Sequence, residues 1–236
     1  NVAIGYAAGN DVTSGTRNNF IGTFAGDALT TGNYNVANGY GALSSDTAGN
    51  TAVAIGYQAL VNQNFSTAAS NYNVAVGFGT GQSVTTGTLN TLIGGAAGDA
   101  LTDADYNVAV GYAALSEDTL GSRSVAVGTG ALALQNYTTA TDGYNVAVGY
   151  GAANNTTTAI QNTLIGGLSG QAITTGYYNV ALGMSTLTAE TTGKNSTAIG
   201  YQALQNQNFT TGSVSNNTAV GSTAGYQITT GVRNVL

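Results

Sequence analysis

The dodecapeptide AIGYQALVNQNF, Ala54–Phe65, returns with one letter changed as AIGYQALQNQNF at Ala198–Phe209. A catalytic motif is needed once; a motif written out again nearly intact points to a body assembled from copies of itself. Its third letter sets the frame. Gly56 and Gly200 each close a short run of Val, Ile and Ala, and comparable runs close on Gly5, Gly22, Gly39, Gly77, Gly94, Gly111, Gly128, Gly149, Gly166, Gly183 and Gly221. Subtracting neighbouring anchor numbers gives 17, 17, 17 and 21, and that set occurs three times, for a period of 72. The opening pair of dodecapeptides lies two such periods apart. The chain therefore reads as one repeat array over residues 1–236, with sets spanning about 5–76, 77–148 and 149–220.

Each unit is too short for a pair of helices. Before the anchor come NVAIG at Asn1–Gly5, NVAVG at Asn73–Gly77, Asn107–Gly111 and Asn145–Gly149, and SVAVG at Ser124–Gly128. Val and Ile two apart with Ala between them describe a strand, with the branched residues on one face and Ala on the other. Several units then carry a turn, as TTG at Thr30–Gly32, Thr85–Gly87, Thr174–Gly176, Thr210–Gly212 and Thr229–Gly231. Strand and corner recurring at this period predict an all-β fold, a parallel β-solenoid of about 13 coils rising roughly 4.8 Å per coil. The anchor Gly suits a corner of positive φ or close backbone approach. Asn stands four residues before the anchor in ten of thirteen units, and stacked Asn side chains are expected to bond one another between coils. The exceptions, Ala52, Ser124 and Ser196, all fall in fourth units.

The core follows the same superperiod. Second units place Phe20, Leu92 and Leu164 where most others have Ala, and follow with Gly26, Gly98 and Gly170. Third and fourth units carry Leu43, Leu115, Leu187, Leu60, Leu132 and Leu204. Large and small residues thus alternate as a close-packed interior requires.

Composition narrows the function. The 236 residues hold no Cys, His, Pro or Trp. The common zinc sites and nucleophile–base pairs therefore have no residues to build them, and neither a cofactor nor catalysis is expected. Four basic residues and a net charge of -6 argue against nucleic acid. No apolar run approaches a membrane span, and no basic-then-apolar leader opens the segment.

The NVAIG and SVAVG runs at Asn1–Gly5 and Ser124–Gly128 and their cognates resemble the YadA-type head repeats of trimeric autotransporter adhesins. They also resemble the NVAIGYQAL repeat regions of phage and large-virus tail fibres. The resemblance covers the whole chain at one motif per unit. It implies a left-handed parallel β-roll, three chains packed side by side as a homotrimer, and an extracellular adhesive or fibrous role on a cell surface or virion fibre. The coils here are longer than the family's usual repeat, which opens the possibility of a different cross-section. Beginning four residues before one anchor and stopping short of the next, the chain reads as a segment of a longer array. The expected function is a rigid rod presenting loops to a host receptor or surface glycan. The alternative is a filament-forming scaffold or coat subunit without a receptor.

Candidate contacts lie where the repeat departs from its core. The four extra residues of every fourth unit are expected to loop out from the stack, placing Phe65, Tyr137 and Phe209 one full period apart. Such aromatics either anchor a partner or fold back as lids over the coil. The same loops contain the sequons of Asn64, Asn136 and Asn208. Asp46, Asp118 and Glu190 recur at the same period. Separated by roughly 19 Å, four strand spacings, they cannot cooperate as catalytic or calcium-binding carboxylates and are expected at solvated corners. Tyr6, Tyr40, Tyr57, Tyr112, Tyr150 and Tyr201 follow anchors, while Tyr34, Tyr72, Tyr106, Tyr144 and Tyr178 precede the Asn. These stripes read first as inter-coil stacks or chain–chain seams, and second as a carbohydrate face. TTG misses too many coils for a regular ice-binding Thr array.

Overall fold

A computed structural model describes all 236 residues, and it is all-β, without a helix. It divides into two compact units, Asn1–Leu120 and Gly121–Leu236. Each is a parallel β-solenoid. In the first, seven strands pair in chain order: Val2–Ile4, Asn19–Ile21, Val36–Asn38, Val53–Ile55, Val74–Val76, Thr91–Ile93 and Val108–Val110. In the second, six do so: Val125–Val127, Val146–Val148, Thr163–Ile165, Val180–Leu182, Thr197–Ile199 and Thr218–Val220.

Register never slips, even across the longer interval, where Val53 faces Val74, Val125 faces Val146 and Thr197 faces Thr218. The extra residues do leave the stack, as solenoid insertions must if the ladder is to stay in step. They do not hang loose, however. Ala69–Ser70 pairs with Gly49–Asn50, Thr141–Asp142 pairs with Gly121–Ser122, and Val214 bridges Lys194. The apices, at Ser66–Ala68, Thr138–Ala140 and Thr210–Thr211, are the longest exposed runs of these loops.

The strand Ala points inward and the branched residues outward. Ala37, Ala54, Ala75, Ala109, Ala126, Ala147, Ala181 and Ala198 are wholly buried, whereas Ile55, Ile93, Val180 and Leu182 keep 37–45% of their surface. Interior volume comes instead from the residue four beyond the anchor, where Leu43, Leu60, Leu115, Leu132, Leu187 and Leu204 are sealed. In second units the roles exchange: Phe20, Leu92 and Leu164 fill from the strand, and the opposite residue must be Gly. A Cβ on Gly26 would stand 2.5 Å from Phe20, and one on Gly98 2.8 Å from Leu92. Such distances are far inside contact, so the pairing of large with small is obligatory.

Three corners per coil are left-handed. The non-glycine residues of positive φ lie five before, two after or four after an anchor, and Arg233 continues the first of these columns. Each such conformation costs about 1 kcal/mol or more, and the geometry shows what offsets it. At Phe24, Tyr34 and Leu43 the inverted backbone aims the N–H at an adjacent coil, donating to the carbonyls of Tyr6, Thr16 and Ala59 at 2.9, 3.2 and 3.0 Å. Corners thereby join the ladder instead of interrupting it.

Candidate interaction surface

The recurrent Asn forms a ladder that runs mainly through the backbone. The expected amide-to-amide bonds are present at some steps: Asn90 and Asn162 donate to Asn73 and Asn145 at 3.3 Å, and Asn234 to Asn217 at 3.0 Å. Asn18 Oδ1 accepts the backbone N–H of Asn35 at 2.9 Å, and its Nδ2 donates to the Gly32 carbonyl at 2.8 Å. Asn35, Asn73, Asn90, Asn145, Asn162 and Asn179 repeat both bonds. Buried amides bonded to backbone leave few orphaned groups between coils.

Asp46, Asp118 and Glu190 overturn the expectation of solvated corners: all three are completely buried. Glu190 Oε1 accepts the N–H groups of Thr191, Thr192, Gly193 and Phe209 at 2.9, 3.2, 2.6 and 3.1 Å, while Oε2 accepts Gln207 Nε2 at 2.8 Å. Asp46 repeats the theme with the N–H groups of Gly49 and Phe65 and with Gln63 Nε2 at 2.7 Å. Each Gln then accepts the next Asn amide through Oε1, Gln63 from Asn73 at 2.9 Å and Gln207 from Asn217 at 2.7 Å. Gln135 accepts Asn145 Nδ2 in the same way. This carboxylate–Gln–Asn relay bridges the units where Ala52 and Ser196 interrupt the Asn ladder, and at Ser124 the Gln135 amide joins Ser124 to Asn145. A signal was present, since Gln63, Gln135 and Gln207 follow their acids by one short repeat interval. Buried carboxylates survive when backbone donors surround them.

The loop aromatics fare differently from one another. Tyr137 and Phe209 are buried at 4% and 6% exposure, so neither is presented to a partner; both rings pack down over the coil. Tyr137 Oη donates to the Ala159 carbonyl and accepts Asn145 Nδ2. Phe65 is half-buried. Among the sequon residues, Asn64 is exposed, and Asn136 and Asn208 are half-buried; Thr47 and Thr191 donate to the side-chain oxygens of Asn64 and Asn208.

Three features remain on the outside. One is the half-exposed Val/Ile face of the strands. Another is the aromatic column after the anchors, where Tyr40, Tyr57 and Phe78 stack face to face with centroids 5.4 and 5.0 Å apart. The third is the column five before the anchors, with Tyr34, Tyr72, Tyr106, Tyr144 and Tyr178 each about half exposed. Arg17 lies 5.1 Å over the Tyr34 ring, and Arg123 pairs with Asp142 and lies 5.9 Å over Tyr144. In the second unit a shallow depression of about 180 Å³ is lined by Thr129, Gly130, Tyr150, Gly151, Asn154 and Leu168. It opens where Gly130 and Gly151 offer no side chain.

Asp27 and Asp99 occupy matching positions in second units. Burial pushes the Asp27 carboxyl above its ordinary value of 3.8, against backbone hydrogen bonds from Asp27 and Ala28, and Asp11 adds repulsion. Burial likewise raises Asp99, with Glu117 contributing. Each leaves Oδ1 buried without a hydrogen bond. A folded-state value above the unfolded one means that the protonated form favours folding. The penalty is absent below the unfolded value and complete once pH exceeds the folded value. Asp27→Asn with Asp99→Asn is therefore expected to raise the melting temperature by about 1–2 °C each at neutral pH, with the gain vanishing near about pH 3. Melts at both pH values check this; an equal gain at both would mean that charge is not its origin.

No protein-family model, curated protein or solved structure matches this chain.

Proposed function

We propose that the chain is a structural and adhesive module of an extracellular fibre on a cell surface or virion, a left-handed β-roll packed as a homotrimer. The supporting observation is the outward Val/Ile face. Strand residues such as Ile55, Ile93, Val180 and Leu182 stand at 37–45% exposure. An exposed, largely apolar face of this kind in each unit, broken only by polar residues such as Asn38 and Thr91, fits a protein–protein interface. Burial of that face against sister chains joins rods into a fibre, and loop apices with exposed Thr and Ala remain available for attachment to a host receptor or glycan. A catalytic role finds no support, because the buried carboxylates of Asp46 and Glu190 are taken up in accepting backbone and glutamine donors.

Sedimentation equilibrium tests the assembly. Three times the 23.4 kDa chain mass is expected, falling to one chain in Ile55→Glu/Ile93→Glu, because like charges facing one another at a desolvated seam cost several kcal/mol. A wild-type monomer would remove the trimer from the account. Adhesion is tested separately on a glycan array. Silence there, with the trimer intact, favours the filament-forming scaffold or coat subunit instead.

A further inference from the structure

The position five before each anchor carries chemistry that the backbone does not ask for. In the first unit it reads Arg17, Tyr34, Thr51, Tyr72, Leu89, Tyr106, all left-handed with φ between 52° and 65°. In the second it opens on Arg123, Tyr144, Gln161 and Tyr178, with φ between 49° and 61°. Glycine adopts this conformation without steric cost, and the chain has 35 of them. The two other left-handed columns use it freely: Gly41, Gly79, Gly130 and Gly151 in one, and Gly9, Gly26, Gly81, Gly98, Gly170 and Gly225 in the other. At this column glycine never appears. Asn195 and Asn216, later in the column, tolerate this region. At most of its coils, however, bulkier side chains are kept there against the local backbone preference, which is the pattern of positions held for function.

The order of the side chains is as telling as their size. In the first unit Tyr34, Tyr72 and Tyr106 stand on every second coil, roughly 9.6 Å apart by two strand spacings, and are 53%, 56% and 50% exposed. Tyr144 and Tyr178 keep the same two-coil step in the second unit. Thr51 and Leu89 separate the rings of the first unit, so these do not stack on one another as Tyr40, Tyr57 and Phe78 do. All three Arg of the chain, Arg17, Arg123 and Arg233, lie in the same column, although only four basic residues exist.

We propose that this column is a binding track for an extended neutral polysaccharide of β-1,4-linked hexoses, running parallel to the coil axis of a unit. The proposal rests on the adhesive reading above and names its ligand class and site. In such a polymer each sugar advances by about one strand spacing. Successive sugars turn opposite faces outward, so the same apolar C–H face returns at every second sugar. Aromatic rings on every second coil meet that repeat in step, each offering a large flat apolar surface to one sugar face. Thr51, on the coil between Tyr34 and Tyr72, adds a polar side chain beside the sugar between. Arg17, one coil before Tyr34, donates to the Tyr34 hydroxyl and lies over one face of its ring, holding the other face outward. A polyanion fits less well, because acids line the same corner. Asp105 precedes Tyr106 and accepts the Thr88 N–H and hydroxyl at 2.6 and 2.8 Å, and Asp142 already engages Arg123.

The test is calorimetric titration of the whole chain with cellohexaose and chitohexaose, alongside maltohexaose, whose α-linked chain coils, and polymannuronate, which is acidic. Binding to at least one β-1,4 hexamer is expected, with affinity climbing from trimer to hexamer and no matching affinity for the other two. Tyr34→Gly/Tyr72→Gly/Tyr106→Gly removes the rings without backbone strain and is expected to weaken binding by up to about tenfold per ring. Single Tyr72→Gly serves if the triple variant loses its circular dichroism. Unchanged affinity in a folded variant overturns the track, as does equal binding of maltohexaose or polymannuronate. Loss of binding that comes with a changed sedimentation mass also overturns it, since the column is then a seam between chains. Binding of unrelated glycans alone on an array sinks the track and leaves adhesion standing; silence across the array sinks both.

Discussion

Gly94→Val is expected to destabilise the protein by about 4 kcal/mol or more, among the largest effects open to a single substitution. Two independent causes act at this residue. Its φ of +126° is a conformation that a β-branched residue rarely adopts. Its missing side chain also makes room for the neighbouring coil, since a Cβ would sit 2.5 Å from the Gly111 carbonyl oxygen and 2.7 Å from its carbon. The obstructing atoms are backbone, so no rotamer change relieves the clash; the coils must part. Stacked repeats interact chiefly with their neighbours, so amide protection should collapse in the coils of Gly77, Gly94 and Gly111 and persist in those around Gly22. Hydrogen exchange resolved by residue reads this directly. Uniform loss of protection along the first unit would contradict the nearest-neighbour account.

Glu190→Ala is expected to cost about 3–5 kcal/mol, the range for removing one member of a buried charged network. Four backbone N–H groups and Gln207 Nε2 converge on this carboxylate, and alanine leaves all five donors without it. Water cannot readily replace it at a site with no exposed surface. Glu190→Gln keeps one acceptor oxygen but turns an amide toward donors, so its cost should fall between wild type and Ala. Urea titrations of the two variants establish the order. A Gln variant as unstable as Ala would place the contribution in packing shape rather than in acceptance of hydrogen bonds.

The coil arrangement was legible in the sequence because register in a solenoid is set by an interval, and intervals can be counted. Gly77 and Gly94 lie one strand step apart, as the spacing of their anchors requires. What stayed hidden depends on partners that no single unit contains. Asp46 read alone looks like a surface acid; it is buried because Gln63, one coil on, and the backbone of Gly49 and Phe65 enclose it. The left-handed corners were equally obscure, since Tyr34, Leu43 and Phe24 are residues that disfavour such φ values and adopt them for the sake of bonds to adjacent coils. Tyr137 and Phe209 could be read as presented or folded back, and a choice between these needs the volume beneath them. The direction of the strand faces was likewise undetermined: alternation separates Val from Ala but does not say which of them meets the core.

The carboxylate–Gln–Asn relay has a consequence for how such a molecule can change size over generations. Because it ties a third unit to a fourth and to the unit opening the following set, losing a fourth unit, or gaining a coil between it and the third, strips a buried acid of its glutamine. Losing or gaining a whole set of four units returns every polar partner to an equivalent neighbour. Unequal recombination within the gene is therefore tolerated in whole sets, and the protein behaves as a ruler graduated in steps of four coils.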